Sequence, residues 1–306
     1  MLEIYFRTVR DTAFRKIDEP KPGSWIYVKE AGHDDLEKIS ALTGVEPADI
    51  RDSLDKYELP RAEYLGENTL FFIRHPSEGE IGLYTATLTI LLTPSFVVAI
   101  SPQRSELIEQ LLSMQTTPST TQKAKLILHI FLKITQEFTS SIKKVRSAIL
   151  LHEQARQIVS SDDIILLTKQ EEILNQHLTA LVPMRGVLEG LSSGRFVSFY
   201  EEDLDLLEDL MIALRQSEDL CRVNIKSIRS LRDSYQILFT NDVNRTIKLL
   251  TALTILVTIP TITASIYGMN VSLPLQNLPY AFWLVMGITL AAFALALLVF
   301  RRKRWL

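Results

Sequence analysis

Five hydroxyl residues, Thr251, Thr254, Thr258, Thr261 and Ser265, recur at spacings of three and four in a stretch with no Asp, Glu, Lys or Arg between Lys248 and Arg301. Such spacing stacks them on one face of a helix, and Asn244 and Ile247 extend that face. Against lipid the hydroxyls gain nothing. They are satisfied by carbonyls one turn back, by a packed helix, or by water in a channel. Two readings stay open on periodicity alone: small polar residues that let helices pack, or a neutral oxygen-lined path for water and ions. The companion stretch Ala281 to Phe300 has no comparable stripe and reads as an outer, lipid-facing span, which favours the path. The tetrapeptide Tyr267-Gly268-Met269-Asn270 closes the striped segment.

The charge-free stretch is long enough for two spans of about 20 apolar residues each. The expected transmembrane helices run from about 244 to 267 and from about 280 to 300, joined by the turn GMNVSLPLQNLP, rich in residues that end helices. Arg301, Arg302, Lys303 and Arg304 follow the second span, and Arg245 and Lys248 flank the first. The positive-inside rule puts that end, and both termini, in the cytosol of a cell membrane. Pro260 cannot donate to the carbonyl of Leu256 and loosens the ladder of the first span.

The remaining composition fits a soluble body with a membrane end: 306 residues, formal net charge −3, and a single cysteine, Cys221, which excludes intramolecular disulfides and suits a reducing cytosol. The first ten residues mix acid and base without an apolar core, so no signal peptide is expected. There is no Gly-rich phosphate loop or zinc-binding Cys pair, the histidines have no ligand spacing, and neither an enzyme nor a nucleic-acid partner is indicated. Gly186-x-x-x-Gly190 lies outside the apolar spans and reads as turn chemistry.

Residues 1–118 read as an alternating α/β domain, with strands near Leu2–Val9, Trp25–Val28, Leu70–Arg74, Tyr84–Leu92 and Phe96–Ile100. Helices are expected at Asp34–Leu42, ending at Gly44, at Ala48–Leu54 behind Pro47, and at Ser105–Met114. Residues 119–243 read as long helices. One runs from Gln122 to about Val159; a second, capped by Asp162-Asp163, runs from Ile164 past Pro183, with a turn over Gly190–Gly194. These two form an antiparallel hairpin. From Glu201 to Tyr267 only Pro260 interrupts, so one helix of roughly 100 Å is expected to run into the first span. Leu204, Leu207, Met211, Leu214, Cys221, Ile225, Ile228, Tyr235 and Phe239 keep a three-four spacing along it, interrupted by Glu218 and Arg232. Residues 244–306 complete the chain as the membrane hairpin and basic tail.

With Pro260-Thr261 upstream of Tyr267-Gly268-Met269-Asn270, Asn244 and Lys248-Leu249-Leu250-Thr251 at the membrane approach, and Trp305-Leu306 after the basic cluster, the sequence resembles the CorA-type magnesium channels. A looser match is Pro60-Arg61-Ala62-Glu63, a turn leading into the strand around Leu70. The resemblance implies an α+β membrane protein: a cytoplasmic α/β domain, a helical hairpin, a stalk helix and two C-terminal spans, assembled as a funnel-shaped homopentamer in lipid. It implies Mg2+ as both transported and regulatory ion, with Co2+ and Ni2+ as surrogates. Gly268, Met269 and Asn270 would form the selectivity filter, a ring of neutral oxygens that accepts hydrogen bonds from the waters of a hydrated cation. Asn244, Ile247, Leu250, Thr251, Thr254, Thr258, Thr261 and Ser265 would line the pore, with apolar Ile247 and Leu250 gating it by dewetting.

Asp209, in the acidic run Glu201, Glu202, Asp203, Asp205, Glu208, Asp209, corresponds to the family's stalk-side metal sensor, and Asp233 to an acidic ring below the pore. The same run is explained equally by carboxylates favouring a helix N-terminus. The family often carries acidic residues in the loop after the motif; Val271 to Tyr280 has none, which predicts weak capture at the mouth. Two alternatives remain at this stage: a zinc or other divalent transporter, possibly proton-coupled, which the intact Met269 disfavours, and a hairpin-anchored scaffold that transports nothing.

Overall fold

The computed structural model describes residues 1–79, 82–155, 159–275 and 278–306. They form two compact units, Met1–Gln157 with Ile165–Leu231, and Ile158–Ile164 with Arg232–Leu306.

The first unit is built on a seven-stranded sheet: β1 (Leu2–Phe6), β2 (Arg15–Ile17), β3 (Ser24–Lys29), β4 (Arg61–Leu65), β5 (Asn68–Gly79), β6 (Gly82–Leu92) and β7 (Phe96–Ser101), in the order β2-β1-β3-β7-β6-β5-β4. Only β3 and β7 pair parallel; the other neighbours are antiparallel. Alternation along each strand buries both faces. Ile26, Val28, Leu70, Phe72, Val98 and Ile100 pack with Leu36 and Ile39 of α1 (His33–Thr43) and with Ile50. On the opposite face Phe71 meets Phe131 of α3 (Lys123–Ala155) edge-on at 6.2 Å. The buried Tyr27 hydroxyl accepts from Ser105 N at 3.1 Å just before α2 (Glu106–Ser113).

Three helices complete this unit: α3, α4 (Ser161–Ser192) and the first part of α5 (Glu201–Tyr267). Contacts fix their directions. Lys125 pairs with Asp203 at 3.6 Å and Thr139 with Ser217 at 2.6 Å, equal steps along both helices, so α3 and α5 run parallel. Against α5, α4 runs antiparallel: Glu171 meets Arg229, Leu174 O accepts from Cys221 Sγ, and Arg185 meets Glu218. It follows that α3 and α4 are an antiparallel hairpin, as expected.

Several expectations are corrected. Ala48–Leu54 is not an α-helix: successive i to i−3 bonds, such as Ser53 N to Ile50 O at 3.1 Å, make a turn and a short 3-10 helix over Arg51–Leu54. Pro60-Arg61-Ala62-Glu63 does not turn into the next strand. Arg61–Leu65 is itself strand β4, reversed onto β5 through Gly66, whose φ of +65° suits a tight hairpin. The three-residue edge strand β2 is absent from the sequence reading because it is short and charged. Helix α4 starts earlier than expected, where Asp163 Oδ2 accepts from Ser160 N at 2.6 Å. The expected end of α3 near Val159 falls partly outside the described residues.

Gly186 and Gly190 lie inside α4, not in a turn; a Cβ on Gly190 would sit 2.6 Å from the Phe196 ring, so glycine admits that ring against the helix. The turn begins later, with Gly194 at φ +69°. On α5, Leu204 is exposed and Leu210 is buried in its place, while Glu218 joins the buried face through Arg185 and Arg222.

Candidate ion pathway

The second unit contains the C-terminal part of α5 and all of α6 (Ala281–Arg302); among the described residues these are the two helices long and apolar enough to cross a membrane. Each has one covered face. Within the apolar part of α5 the buried or half-buried positions are Ala252, Leu256, Ile259 and Thr263; on α6 they are Ala281, Val285, Thr289, Phe293, Ala296, Leu297 and Phe300. Both sets follow a three-four spacing, with Ala296 and Leu297 sharing one step on α6, so each is a single stripe.

Around α5, the hydroxyl residues lie opposite that stripe. Thr251, Thr254, Thr258, Thr261 and Ser265 are all exposed, centred about 150° from the covered face at 100° per residue. Asn244, Ile247 and Leu250 continue on the same exposed side, Ile247 at 55 % and Leu250 at 64 % exposure. The stripe is therefore not the covered side of α5; the buried Ala252 and Leu256 are. Of the ways to satisfy the hydroxyls, the structure uses the nearest. Thr251, Thr254, Thr258 and Thr261 donate to the carbonyls of Ile247, Leu250, Thr254 and Val257 at 2.7–2.8 Å. With the proton committed inward, each Oγ1 turns its remaining lone pairs outward, as an acceptor.

Helix α5 ends at the tetrapeptide. Gly268 N donates to Ala264 O at 2.9 Å and Met269 N to Ile266 O at 3.2 Å, closing the last turn. A Cβ on Gly268 would come 3.2 Å from Ala264 O, so the glycine lets the chain leave the helix tightly. The Tyr267 hydroxyl donates to Pro274 O at 3.2 Å and pins the following loop. Met269 and Asn270 are exposed beyond the helix end, where backbone carbonyls carry about half a negative charge.

The acidic run divides. Asp203 turns inward to Lys125 with only 4 % exposure, whereas Glu201, Glu202, Asp205, Glu208 and Asp209 are exposed. Asp233 is also exposed. Among the described residues, no group of three or more His, Cys, Asp or Glu side chains is placed to hold a metal ion. The inward turn of Asp203 and the burial of His75 and His177 were not visible in residue spacing; they depend on which helix packs alongside. Burial alone depresses His177 to about 4.

A soluble α/β unit, long helices and two apolar C-terminal helices, the first ending in Tyr-Gly-Met-Asn, define a class of two-span membrane transport proteins. Residues 21–302 match the family described as CorA-like Mg2+ transporter protein, and the chain belongs to that family. It is 26 % identical over 294 residues to the cobalt/magnesium transport protein CorA of Methanocaldococcus jannaschii, covering 92 % of this chain and 91 % of that one. The complete structure of the CorA magnesium transporter from the same organism superposes with a TM-score of 0.80 at 23 % identity, over 100 % of this chain and 99 % of that one. The full-length CmaX protein matches with a TM-score of 0.72 at 18 % identity, covering 99 % and 97 %.

Proposed function

We propose that the protein is a magnesium channel that carries Mg2+ into the cytosol down the membrane potential, with Co2+ and Ni2+ as surrogate ions. The observation that carries this reading is the uncharged, acceptor-only hydroxyl face of α5, exposed opposite that helix's buried stripe and ending at Gly268-Met269-Asn270. One such face needs copies of itself to enclose a path, so the working assembly is a ring of identical chains, five by family resemblance, in the membrane with both termini cytosolic.

Magnesium sheds its waters reluctantly. The hydrated ion presents water protons outward, and a ring of Asn270 carboxamides with the Gly268 and Met269 carbonyls accepts them without holding the ion too tightly to leave. The loop lacks acidic residues, and the negative ends of the α5 helices supply the attraction at the mouth instead. Asn244, Ile247, Leu250, Thr251, Thr254, Thr258, Thr261 and Ser265 line the path, Ile247 and Leu250 forming its dewetting constriction. A potential of 100 mV drives a divalent ion by roughly 4.6 kcal/mol, from about 2.3 per charge. Asp209 and Asp233 act between copies: cytosolic Mg2+ bound there holds the pore closed. No Asp, Glu, His or Lys lies within 249–300, so the path offers no acid-base relay for coupling to protons.

Magnesium influx into liposomes holding an inside-negative potential tests the reading. Wild type should conduct, Asn270→Ala should lose flux while assembling normally, and Mg2+ on the soluble-domain side should slow wild type. Flux no greater than in empty liposomes, or an unaffected Asn270→Ala, would remove the pore assignment.

A further inference from the structure

The end of α6 is a formed turn, not a frayed terminus. Trp305 N donates to Phe300 O at 3.0 Å and Arg304 N to Arg301 O at 3.1 Å, the paired bonds of a helix C-terminal motif in which the residue after the C-cap Lys303 is left-handed. That left-handed position, φ +54°, is held by Arg304, where glycine is the usual occupant because a side chain is strained there. The indole of Trp305 stacks on Phe300, centroids 5.6 Å and planes 16° apart, and offsets the strain. The four consecutive cations 301–304 are all exposed, and among the described residues none is in an ion pair.

Depth places the turn at a membrane surface. From Ala281 to Arg301, and from Tyr267 back to Lys248, each helix rises about 30 Å, one hydrocarbon thickness. The turn and the Arg245–Lys248 pair therefore share one level, and an aromatic ring at that level is what a bilayer interface favours. A preformed array of guanidinium groups beside that ring matches phosphate, which accepts their paired N–H donors. The nearest phosphates to a helix leaving the bilayer are those of lipid headgroups.

We propose that the turn Arg301–Trp305 is a binding site for anionic phospholipid headgroups, the cations holding the phosphate and Trp305 seating the turn in the interface. The proposal rests on α5 and α6 being membrane spans and not on magnesium transport.

The test uses the full chain carrying Trp283→Phe, so that Trp305 reports from the bilayer while Trp25 stays buried in the sheet. It is reconstituted in phosphatidylcholine with phosphatidylglycerol, the bromine-labelled lipid being one or the other at equal mole fraction. Brominated phosphatidylglycerol should quench Trp305 about threefold more than brominated phosphatidylcholine, from the attraction of basic clusters to anionic lipid. The preference should survive added inorganic phosphate and vanish when all four cations become Gln. Equal quenching in wild type, no quenching by either lipid, or loss of the preference to free phosphate would each overturn the proposal. Arg304→Gly and Arg304→Val remove the same charge, but only valine is strained in the left-handed position. Glycine should keep most of the preference and valine should lose at least half; identical behaviour would show that the turn is not part of the site. Because flux is not read, failure here is distinct from failure of the channel reading.

Discussion

Acidification should loosen the helical bundle of the soluble unit through His177. Its side chain is fully buried between α3 and α4, with Nε2 2.7 Å from Ser141 Oγ and the ring edge-on to Phe138 at 5.2 Å. Nδ1 has no hydrogen-bond partner among the described residues. Nothing beside the ring compensates a second proton, and burial lowers its pKa from 6.5 to about 4. The unfolded chain therefore binds the proton more readily, so the contribution is fully present above about pH 6.5 and is lost as pH falls towards 4. The loss is about 2 kcal/mol by pH 5 and about 3 below pH 4, at 1.36 kcal/mol per unit.

Burial also lowers the pKa of His75 and His129, which act in the same direction, so the measurement must be differential. Urea unfolding of the full chain in micelles would be followed by Trp25 fluorescence in a Trp283→Phe, Trp305→Phe background, at pH 7.5 and pH 5. His177→Leu should reduce the pH-dependent loss of stability by about 2 kcal/mol relative to its parent. An identical pH dependence with and without the histidine would refute the argument.

Two further predictions bear on packing and on the path. Gly190→Ala should destabilise the soluble unit by about 1–3 kcal/mol, because its Cβ would enter the Phe196 ring, itself held between Tyr64 and Phe71; an unchanged urea midpoint would mean the ring swings aside freely. Thr254→Val keeps the side-chain shape and removes one acceptor per copy, and should lower Mg2+ flux about fivefold, the equivalent of roughly 1 kcal/mol for one net hydrogen bond. Thr254→Ser should conduct nearly as wild type, and a fully active valine variant would take the stripe out of the path.

The parts of the fold legible in sequence are those in which one local signal decides. Absence of glycine marked α5, absence of charge marked its last part and α6, and apolar runs marked β3, β6 and β7. Gly44, left-handed at φ +72°, ended α1 where its position suggested. The missed features depend on partners distant in the chain. Strand β4 has two charged residues in five and becomes a strand because β5 pairs with it; Gly190 reads as a breaker until Phe196 is seen against it. Leu204 fits the apolar spacing of α5, yet Leu210 is the residue that is buried, since a shared spacing does not say which flank the neighbours cover. The hydroxyl stripe was visible as a period. Only the burial of Ala252 and Leu256 tells which way it faces within the chain.

The connectivity of the soluble unit sets a timetable for its synthesis. The parallel pair β3–β7 cannot close until Ser101 has been made, and the last of the bundle, Leu231, comes about 130 residues later, a delay of roughly 6–26 s at ordinary translation rates. During that interval the sheet face around Phe71 first waits for Phe131, and α3 then waits for α4 and α5. A nascent chain in this state presents an apolar sheet face to the cytosol just before its two apolar spans follow. Holding chaperones should therefore engage it early, before membrane targeting begins.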